Sequence, residues 1–265
     1  MSEPQLVTVL RPPLSEPDAG RLRDAIDGQS RPAQRVIDVG RIGTRAADLD
    51  RGLREAERSG VDWVWLLDGS ALPAPDALAR LWAVIEDLGP LPPPVLLTST
   101  SWLGADQLDA ARAPWPRLTV KQVALDACQR GLVSIRAARH GSLLVDRRAL
   151  SGHALPLVAY GDQTEDLEWS ARLLNAGVGY AVPASTVAPL DGCSSGEGPV
   201  SAAELRNQLH MLRGAGWGGE EKLWVGYLWG EELLRALRHR PGLRQRAGLL
   251  REVGRGLALT PPAAR

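Results

Sequence analysis

The sequence predicts an α/β domain with a mostly parallel central sheet that is flanked by helices and followed by a helical C-terminal extension. In residues 1–100, short apolar runs alternate with helical patterns, which is typical of parallel sheets. The run VDWVWLL at 61–67 is apolar without alternation and is therefore expected to be buried on both faces. From about Ala202 onward the pattern is helical, which predicts the extension.

The first four elements follow in a regular order. Residues 6–10 form a short apolar run and are predicted as a strand, and residues 18–27 have the composition of a helix. Residues 35–39 form a second strand, which Gly40 closes. Residues 45–59 show helical periodicity, with apolar side chains on one face.

The strand at 61–67 ends at Asp68, and a helix is predicted from the N-cap residue Asp76 to about residue 87. Asp68 therefore stands at the carboxyl end of a central strand, which is where ligands bind in open α/β sheets. The alternative interpretation is that Asp68 only caps the following turn.

The second half of the chain contains fewer clear signals. Residues 91–130 are rich in proline and give no firm assignment, whereas 142–145 is strand-like. A helix is predicted at 166–176, ending before Gly177, and a short strand at 180–182. We place a main domain at 1–203 and the helical extension, packed on that domain, at 204–265.

Composition excludes several classes of protein. Hydrophobic residues make up 44% and charged residues 23%, as in ordinary globular proteins, and a formal net charge of zero gives no support for nucleic-acid binding. The two cysteines, Cys128 and Cys193, have no metal-ligand spacing. We expect neither a signal peptide nor a membrane span, and a cytoplasmic location.

Segments of the chain, in order, resemble the family 2 glycosyltransferases of the GT-A fold, in particular the bacterial rhamnosyltransferase-like and galactofuranosyltransferase-like members. The first resembles the family's helix, Q-t-x-P turn and second strand; the second resembles its strand with the Asp-X-Asp motif; the third resembles its E-D-x-E-x-x-x-R-L helix. A later segment resembles its R-N helix. They read DAIDGQSRPAQRVIDVG (24–40), VDWVWLLDGSALPAPDALARLW (61–82), GSLLVDRRAL (141–150) with TEDLEWSARLLNAGVGYAVPAS (164–185), and AAELRNQLHMLR (202–213).

The resemblance implies a GT-A-type, Rossmann-like sheet and transfer of a sugar, with inversion, from a nucleotide-diphosphate donor to a glycan or lipid-linked acceptor in polysaccharide assembly. Such a reaction needs one carboxylate as general base. The resemblance places that base at Asp166, beside Glu165, where a helix N-terminus favours an ionised carboxylate. It places Asp38 at the nucleobase and Asp68 at the ribose. The bland alternative is that Glu165 and Asp166 only favour the helix start.

The family holds a divalent cation, Mg²⁺ or Mn²⁺, with the last Asp of Asp-X-Asp and a distant His. In this sequence Ser70 replaces the last Asp of Asp-X-Asp, and Pro189 (or Ala188) replaces the His. The resemblance still places Ser70 at the nucleotide sugar. Neither side chain is a good ligand for a hard cation, so a bound cation is expected only weakly. Asp50 also stands where the family's first helix has Asn.

Arginine can replace a cation at a diphosphate, since its planar guanidinium pairs with phosphate oxygens. Arg136 falls where the family often has an Arg, and Arg139 and His140 fall where it has small or aromatic residues. We therefore interpret Arg136 and Arg139 as candidate contacts of the nucleotide sugar, with His140 beside them. The alternative is that the latter two are solvated loop side chains.

Other features compete with this interpretation. The segment GCSSG at 192–196 matches a nucleophile-elbow pattern, but its flanks predict a loop. Residues 220–240 combine Trp224, Tyr227 and Leu228 with arginines, a pattern that is typical of peripheral contact with the inner face of a plasma membrane. The alternative interpretation is that the Trp residues of this segment pack against the domain core. The rival function is a catalytically inactive GT-A-like domain that binds or scaffolds an active transferase. A homo-oligomer is also open.

Overall fold

The computed structural model describes residues 5–11, 15–69, 71–103, 107–108, 115–117, 121–139, 141–152, 165–190, 202–214, 216–239 and 242–258. Its strands are β1 (Leu6–Arg11), β2 (Arg35–Asp38), β3 (Trp63–Asp68), β4 (Ala71–Pro73), β5 (Pro94–Leu103), β6 (Gln107–Leu108), β7 (Trp115–Pro116), β8 (Val133–Ala137), β9 (Ser142–Asp146) and β10 (Val178–Pro189). Its helices are α1 (Glu16–Asp27), α2 (Arg45–Arg58), α3 (Ala77–Glu86), α4 (Lys121–Gln129), α5 (Arg147–Gly152), α6 (Glu165–Leu173), α7 (Ala202–Arg213), α8 (Gly219–Arg238) and α9 (Leu243–Ala258).

The strands form one sheet with the order β2-β1-β3-β9-β5-β10-β8-β7, to which β4 and β6 are added at the side. Strands β1, β2, β3, β5, β7 and β10 run in one direction, whereas β8 and β9 run in the other. The α/β fold class with a central sheet flanked by helices is confirmed. The parallel order is interrupted by β9, which lies antiparallel between β3 and β5.

Side chains of β3 alternate between two hydrophobic layers, one on each face of the sheet. Trp63, Trp65 and Leu67 join the layer that contains α1, α3 and α4, and Val64 and Leu66 join the layer that contains α2 and α6. This arrangement confirms the prediction that the apolar run is buried on both faces. It also explains why the strand carries no polar residue before Asp68.

Helix α2, on the second face of the sheet, begins with a well-formed cap. The Thr44 hydroxyl accepts from the Ala47 N–H at the start of α2, and Leu49 and Leu53 of that helix are buried against the sheet. Because α2 packs directly under β1 and β2, its first turn lies at the carboxyl edge of these strands. This geometry places the first residues of α2 beside Asp68.

The C-terminal helices contact both the main domain and one another. Met211, Trp217 and Val225 form a small apolar cluster with residues of β8 and α6, and α7, α8 and α9 enclose another. The boundary at residue 203 stays a prediction. Within the described residues, no helix combines the length and the apolar character that crossing a bilayer requires.

Two sequence assignments differ from the structure. Strand β10 runs for 12 residues, far beyond the short strand predicted at 180–182, and shifts its register between Val182 and Thr186. Helix α6 ends at Leu173, earlier than predicted, because a turn follows before Gly177. Asp76 is the N-cap residue of α3 but its side chain makes no capping bond and instead accepts from Arg80.

Candidate functional site

Asp68 lies at the carboxyl edge of the sheet, as the sequence predicts. It is the last residue of β3, pairs in register with Arg11 of β1, and donates its backbone N–H to the Gly141 carbonyl at 3.3 Å. Its buried carboxylate lies 3.3 Å from Nη1 of Arg45 and 3.9 Å from Nη1 of Arg11. Two strand ends and one helix start therefore meet at this carboxylate.

Arg45 is the central cation of the site. It is the first residue of α2, and its side chain is only 19% exposed. Its Nε donates to Oε1 of Glu165 at 2.5 Å, its Nη1 donates to Asp68, and its Nη2 lies 4.0 Å from Oδ2 of Asp166. One guanidinium thus faces three carboxylates that come from two distant segments of the chain.

Glu165 and Asp166 open helix α6, and both side chains are buried. Oδ1 of Asp166 accepts from the Leu167 N–H at 2.8 Å. Oε2 of Glu165 makes no hydrogen bond to any described residue, although Oε1 is bonded to Arg45. The two carboxylates predicted to supply the general base therefore lie in one charged cluster with Asp68, the predicted contact of the nucleotide sugar. We call it the Arg45 cluster, and it consists of Arg45, Asp68, Glu165 and Asp166.

The environment shifts the protonation of the cluster. Burial, followed by the neighbouring Asp166, raises the pKa of Glu165 to about 7, and Arg45 only partly offsets this. Burial alone would lower the pKa of Arg45, but Asp166, Glu165 and Asp68 raise it overall. Burial is therefore the main influence on the pKa of Glu165. The expectation that the helix N-terminus favours an ionised Asp166 stays a prediction.

A second pair holds the loop beside the cluster. Nε of Arg11 donates to Oδ2 of the buried Asp48 at 3.2 Å, and Oδ1 of Asp48 accepts from the N–H groups of Ile42 and Gly43. Burial raises the pKa of Asp48, yet the Arg11 bond and these amides hold it below its usual value. The carboxylate of Asp48 thus fixes the loop at 40–43 against α2.

Asp38 lies at the end of β2, at the same edge of the sheet but more open to solvent. Its side chain is 38% exposed, lies 3.2 Å from Nη2 of Arg23, and accepts from the Gly40 N–H at 2.9 Å. Gly40 has a φ of 61°, a conformation that favours glycine. The structure therefore places Asp38 at the mouth of the site and outside the Arg45 cluster.

The position at which the family has its distant His falls on β10, where this strand pairs with β4. Pro189 of β10 pairs in register with Ala71 of β4, and Ala188 pairs with Leu72. None of these side chains carries a donor atom for a metal. Ser70 lies outside the described residues, as do His140 and the motif at 192–196.

The residues present do not fit a divalent cation. Asp68 is the carboxylate that remains of the Asp-X-Asp segment, and it already contacts the Arg45 guanidinium. Among the residues that the structure describes, no group of three or more His, Cys, Asp or Glu side chains has an arrangement that could hold a metal ion.

Arg136 is engaged with protein groups. Its guanidinium donates to Glu221, to the Ala171 and Gly216 carbonyls and to Asn175, and it lies 5.0 Å from the ring centroid of Trp217. Burial lowers the pKa of this side chain, although Glu221 opposes the shift. Arg136 therefore joins β8 to the C-terminal helices and lies outside the Arg45 cluster.

Arg139 follows β8 and lies two residues before Gly141, whose carbonyl accepts from Asp68. Its Nη2 is 3.9 Å from Oε1 of Glu204, and the side chain is partly exposed. Arg139 thus stands near the cluster along the chain, and its role at the nucleotide sugar stays a prediction. Asp50 pairs with Arg54 on α2 and is not part of the cluster.

Sequence reasoning missed Arg45 and Arg11. Neither lies in the segments that carry the family resemblance. One signal was nevertheless available for Arg45, because a positive side chain at the first position of a helix opposes the helix dipole. An unfavourable charge of that kind indicates a partner elsewhere in the fold.

No known protein-family profile matches this chain, and no curated protein matches it by sequence. Its fold is similar to that of solved structures. One is S. aureus TarS, residues 1–349, in complex with UDP-GlcNAc, with a TM-score of 0.61, 10% identity and coverage of 96% of this chain and 80% of that chain.

A second is the mannosyltransferase PcManGT from Pyrobaculum calidifontis in complex with GDP-Man and Mn²⁺, with a TM-score of 0.52, 14% identity and coverage of 97% and 81%. At such identities the similarity concerns the fold alone. The chain therefore has the fold of the GT-A glycosyltransferases.

Proposed function

We propose that this protein is a glycosyltransferase that moves a sugar from a nucleotide-diphosphate donor to a glycan or lipid-linked acceptor. One observation supports the proposal most strongly. Asp68, the predicted contact of the nucleotide sugar, and Glu165 and Asp166, the predicted general base and its neighbour, all lie around the Arg45 guanidinium. These residues are far apart in the sequence, and the GT-A-type fold brings them to the carboxyl edge of the sheet, where ligands of open sheets bind.

The proposed reaction proceeds with inversion at the anomeric carbon. The carboxylate of Asp166 takes the proton of an acceptor hydroxyl, whose oxygen forms a bond to the anomeric carbon. The bond between that carbon and the diphosphate oxygen breaks, and the nucleoside diphosphate leaves with the electron pair. Asp38 and Asp68 contact the nucleoside in this proposal, and Arg139 contacts the diphosphate.

The activity is tested by calorimetric titration of the protein with UDP, GDP and dTDP, followed by transfer and donor-hydrolysis assays with sugars of whichever nucleotide binds. Replacement of the base, Asp166→Asn, should abolish turnover while nucleotide binding is retained. Asp76→Asn is the matched control, because Asp76 also stands at a helix start but pairs with Arg80 outside the cluster. Full turnover by Asp166→Asn would exclude this residue as the base.

The rival proposal is a catalytically inactive domain that scaffolds an active transferase. It is favoured by the burial of Asp68, Glu165 and Asp166, since a general base must reach its substrate. The same titration separates the two functions. If none of the three nucleotides binds, the scaffold function stands and the transferase function does not.

Peripheral contact with a membrane is a further part of the proposal. Leu223, Tyr227 and Leu234 are exposed, and their spacing places them on one face of α8. The side chains of Trp224 and Leu228, which the sequence also suggested for this stripe, lie outside the described part of the helix.

Helix α9 has an exposed positive face of its own. Arg244, Arg251 and Arg255 are exposed and share one face of the helix, opposite the buried Leu249 and Val253. Exposed apolar side chains and exposed arginines are both features by which proteins bind anionic lipid surfaces. We infer that the acceptor is presented at such a surface.

A further inference from the structure

We propose that the guanidinium of Arg45 takes the place of a divalent cation in this fold. Its positive charge stabilises the surrounding carboxylates, and the site therefore binds no metal. The inference concerns Arg45, which no sequence motif indicated. It rests on the proposed function only for its consequence for nucleotide binding.

The contacts of Arg45 support the substitution. Three carboxylates from the end of β3 and the start of α6 surround the guanidinium, with N–O distances of 2.5, 3.3 and 4.0 Å. Buried carboxylates require a compensating positive charge. Of the residues that the structure describes around Glu165, it is Arg45 that supplies this charge through a direct bond.

A metal ion and this guanidinium exclude each other. A divalent cation near Asp68 would lie within a few ångströms of a fixed positive charge, and the two would repel each other strongly in a buried site. The neighbouring positions offer no compensation, since Ala71 and Pro189 face each other across β4 and β10 without a ligand atom. Both the lack of ligand atoms at these positions and the positive charge of Arg45 therefore disfavour a bound metal ion.

Arg45 is also anchored in a way that suits a permanent charge. It begins α2, whose N-cap Thr44 and buried Leu49 and Leu53 fix the helix against the sheet. A guanidinium stays protonated throughout the physiological pH range and forms planar, paired bonds to oxygen anions. Arg45 is therefore a fixed positive charge at the place where a divalent cation would otherwise lie.

The test is a titration of the protein with Mn²⁺ alone, followed by calorimetry and by electron paramagnetic resonance of the free ion. We expect the wild-type protein to show no saturable binding. The carboxylates of Asp68, Glu165 and Asp166 are not arranged to hold a metal while the Arg45 guanidinium lies among them. Removal of that side chain, Arg45→Ala, lets them turn toward one ion, and we expect one Mn²⁺ to bind at least tenfold more tightly than to the wild type. The double variant Arg45→Ala/Asp68→Asn should lose this gain.

Arg172→Ala is the matched control. Arg172 is also buried and is bonded to Glu168 on the same helix α6, but one carboxylate alone does not make a site for a cation. We expect this variant to gain no Mn²⁺ binding. If Arg45→Ala is unfolded in the absence of metal, Mn²⁺ should restore its circular dichroism and raise its Tm. A failure of Mn²⁺ both to bind Arg45→Ala and to refold it would overturn the inference, as would equal Mn²⁺ binding by the wild type.

A nucleotide arm separates this inference from the proposed function. If both hold, the nucleotide that binds the wild type should bind equally well with EDTA and with Mn²⁺. Absence of nucleotide binding contradicts the transferase function but leaves the Mn²⁺ result for Arg45→Ala valid. Nucleotide binding that requires Mn²⁺ supports the transferase function and overturns the role of Arg45.

Discussion

Nε of Arg136 lies 2.7 Å from Oε1 and 2.8 Å from Oε2 of Glu221, a residue 85 positions later in the chain. Arg136 belongs to β8 and Glu221 to the first turn of α8, where Glu221 also accepts from the Gly218 N–H. The pair therefore ties the C-terminal helices to the sheet. The Trp217 ring lies next to the same guanidinium, so Arg136 contacts two residues of the C-terminal region at once.

Substitution Arg136→Met should destabilise the protein by about 3–5 kcal/mol, because it leaves buried carbonyls and a carboxylate without their donor. Urea unfolding at neutral pH measures this. The same change at Arg139, whose ion pair with Glu204 is long and partly exposed, should cost less than about 1 kcal/mol. Equal losses for the two variants would contradict the junction role.

The raised pKa of Glu165 predicts a pH dependence of stability. In the unfolded chain its pKa is near the ordinary value of 4.5, and in the folded protein it is about 7. Between these values the folded state binds more protons than the unfolded state, so the free energy of unfolding falls as pH rises. Ionisation of this group lowers the free energy of unfolding by at most about 3–4 kcal/mol, since one pKa unit corresponds to about 1.4 kcal/mol.

Substitution Glu165→Gln removes this contribution. We expect the variant to gain stability relative to the wild type at pH 8 and to lose that advantage at pH 4.5, in urea unfolding at both values. Asp76→Asn, at an exposed helix start, is the control: its stability relative to the wild type should be the same at pH 4.5 and at pH 8. A constant difference between Glu165→Gln and the wild type across this range would disprove the shift.

Gly52 of α2 allows the close approach of that helix to the sheet. A Cβ atom at this position would lie 2.5 Å from Cγ1 of Val39 and 2.5 Å from Cγ1 of Val9. Gly52→Ala should therefore cost about 1–3 kcal/mol in thermal or urea unfolding. Gly20→Ala in α1 meets no atom within 4 Å and should instead stabilise the protein by about 0.5–1 kcal/mol.

The basic face of α9 predicts selective binding to lipid. Vesicles of anionic phospholipid should sediment with the wild-type protein, and vesicles of phosphatidylcholine alone should not. Reversal of charge in Arg244→Glu/Arg251→Glu should abolish sedimentation without altering the circular dichroism spectrum. Arg58→Glu, at an exposed position of α2, is the control and should retain binding. Retention by the double variant would refute the lipid surface.

The order of elements through α3 could be predicted from the sequence because glycines, prolines and charged turns separate its apolar runs clearly. The long β10 could not, since Pro183 and Ser185 interrupt its apolar pattern and the strand changes register there. Local patterns do not record such a shift. In the same way β5, which follows Pro92 and Pro93, was hidden by its proline-rich surroundings.

The candidate site was predictable only in part. The family resemblance implies a ribose contact at Asp68 and a general base at Glu165–Asp166, and the structure brings these three side chains together. The cation among them could not be predicted, because the contact between Arg45 and Glu165 spans 120 positions of the chain. A long-range ion pair depends on how elements pack, which no window of sequence contains.

The insertion of β9 between β3 and β5 has a consequence for how the chain is made. The β2-β1-β3 portion is complete once Asp68 has been synthesised, but the free edge of β3 is covered only when residues 142–146 appear. At about 5–20 residues per second the ribosome needs roughly 4–15 s for that interval. During this time an apolar strand with two tryptophans presents unpaired backbone groups, which invites pairing with other chains. We therefore expect the nascent chain to be prone to aggregation until β9 pairs with β3 and closes the sheet.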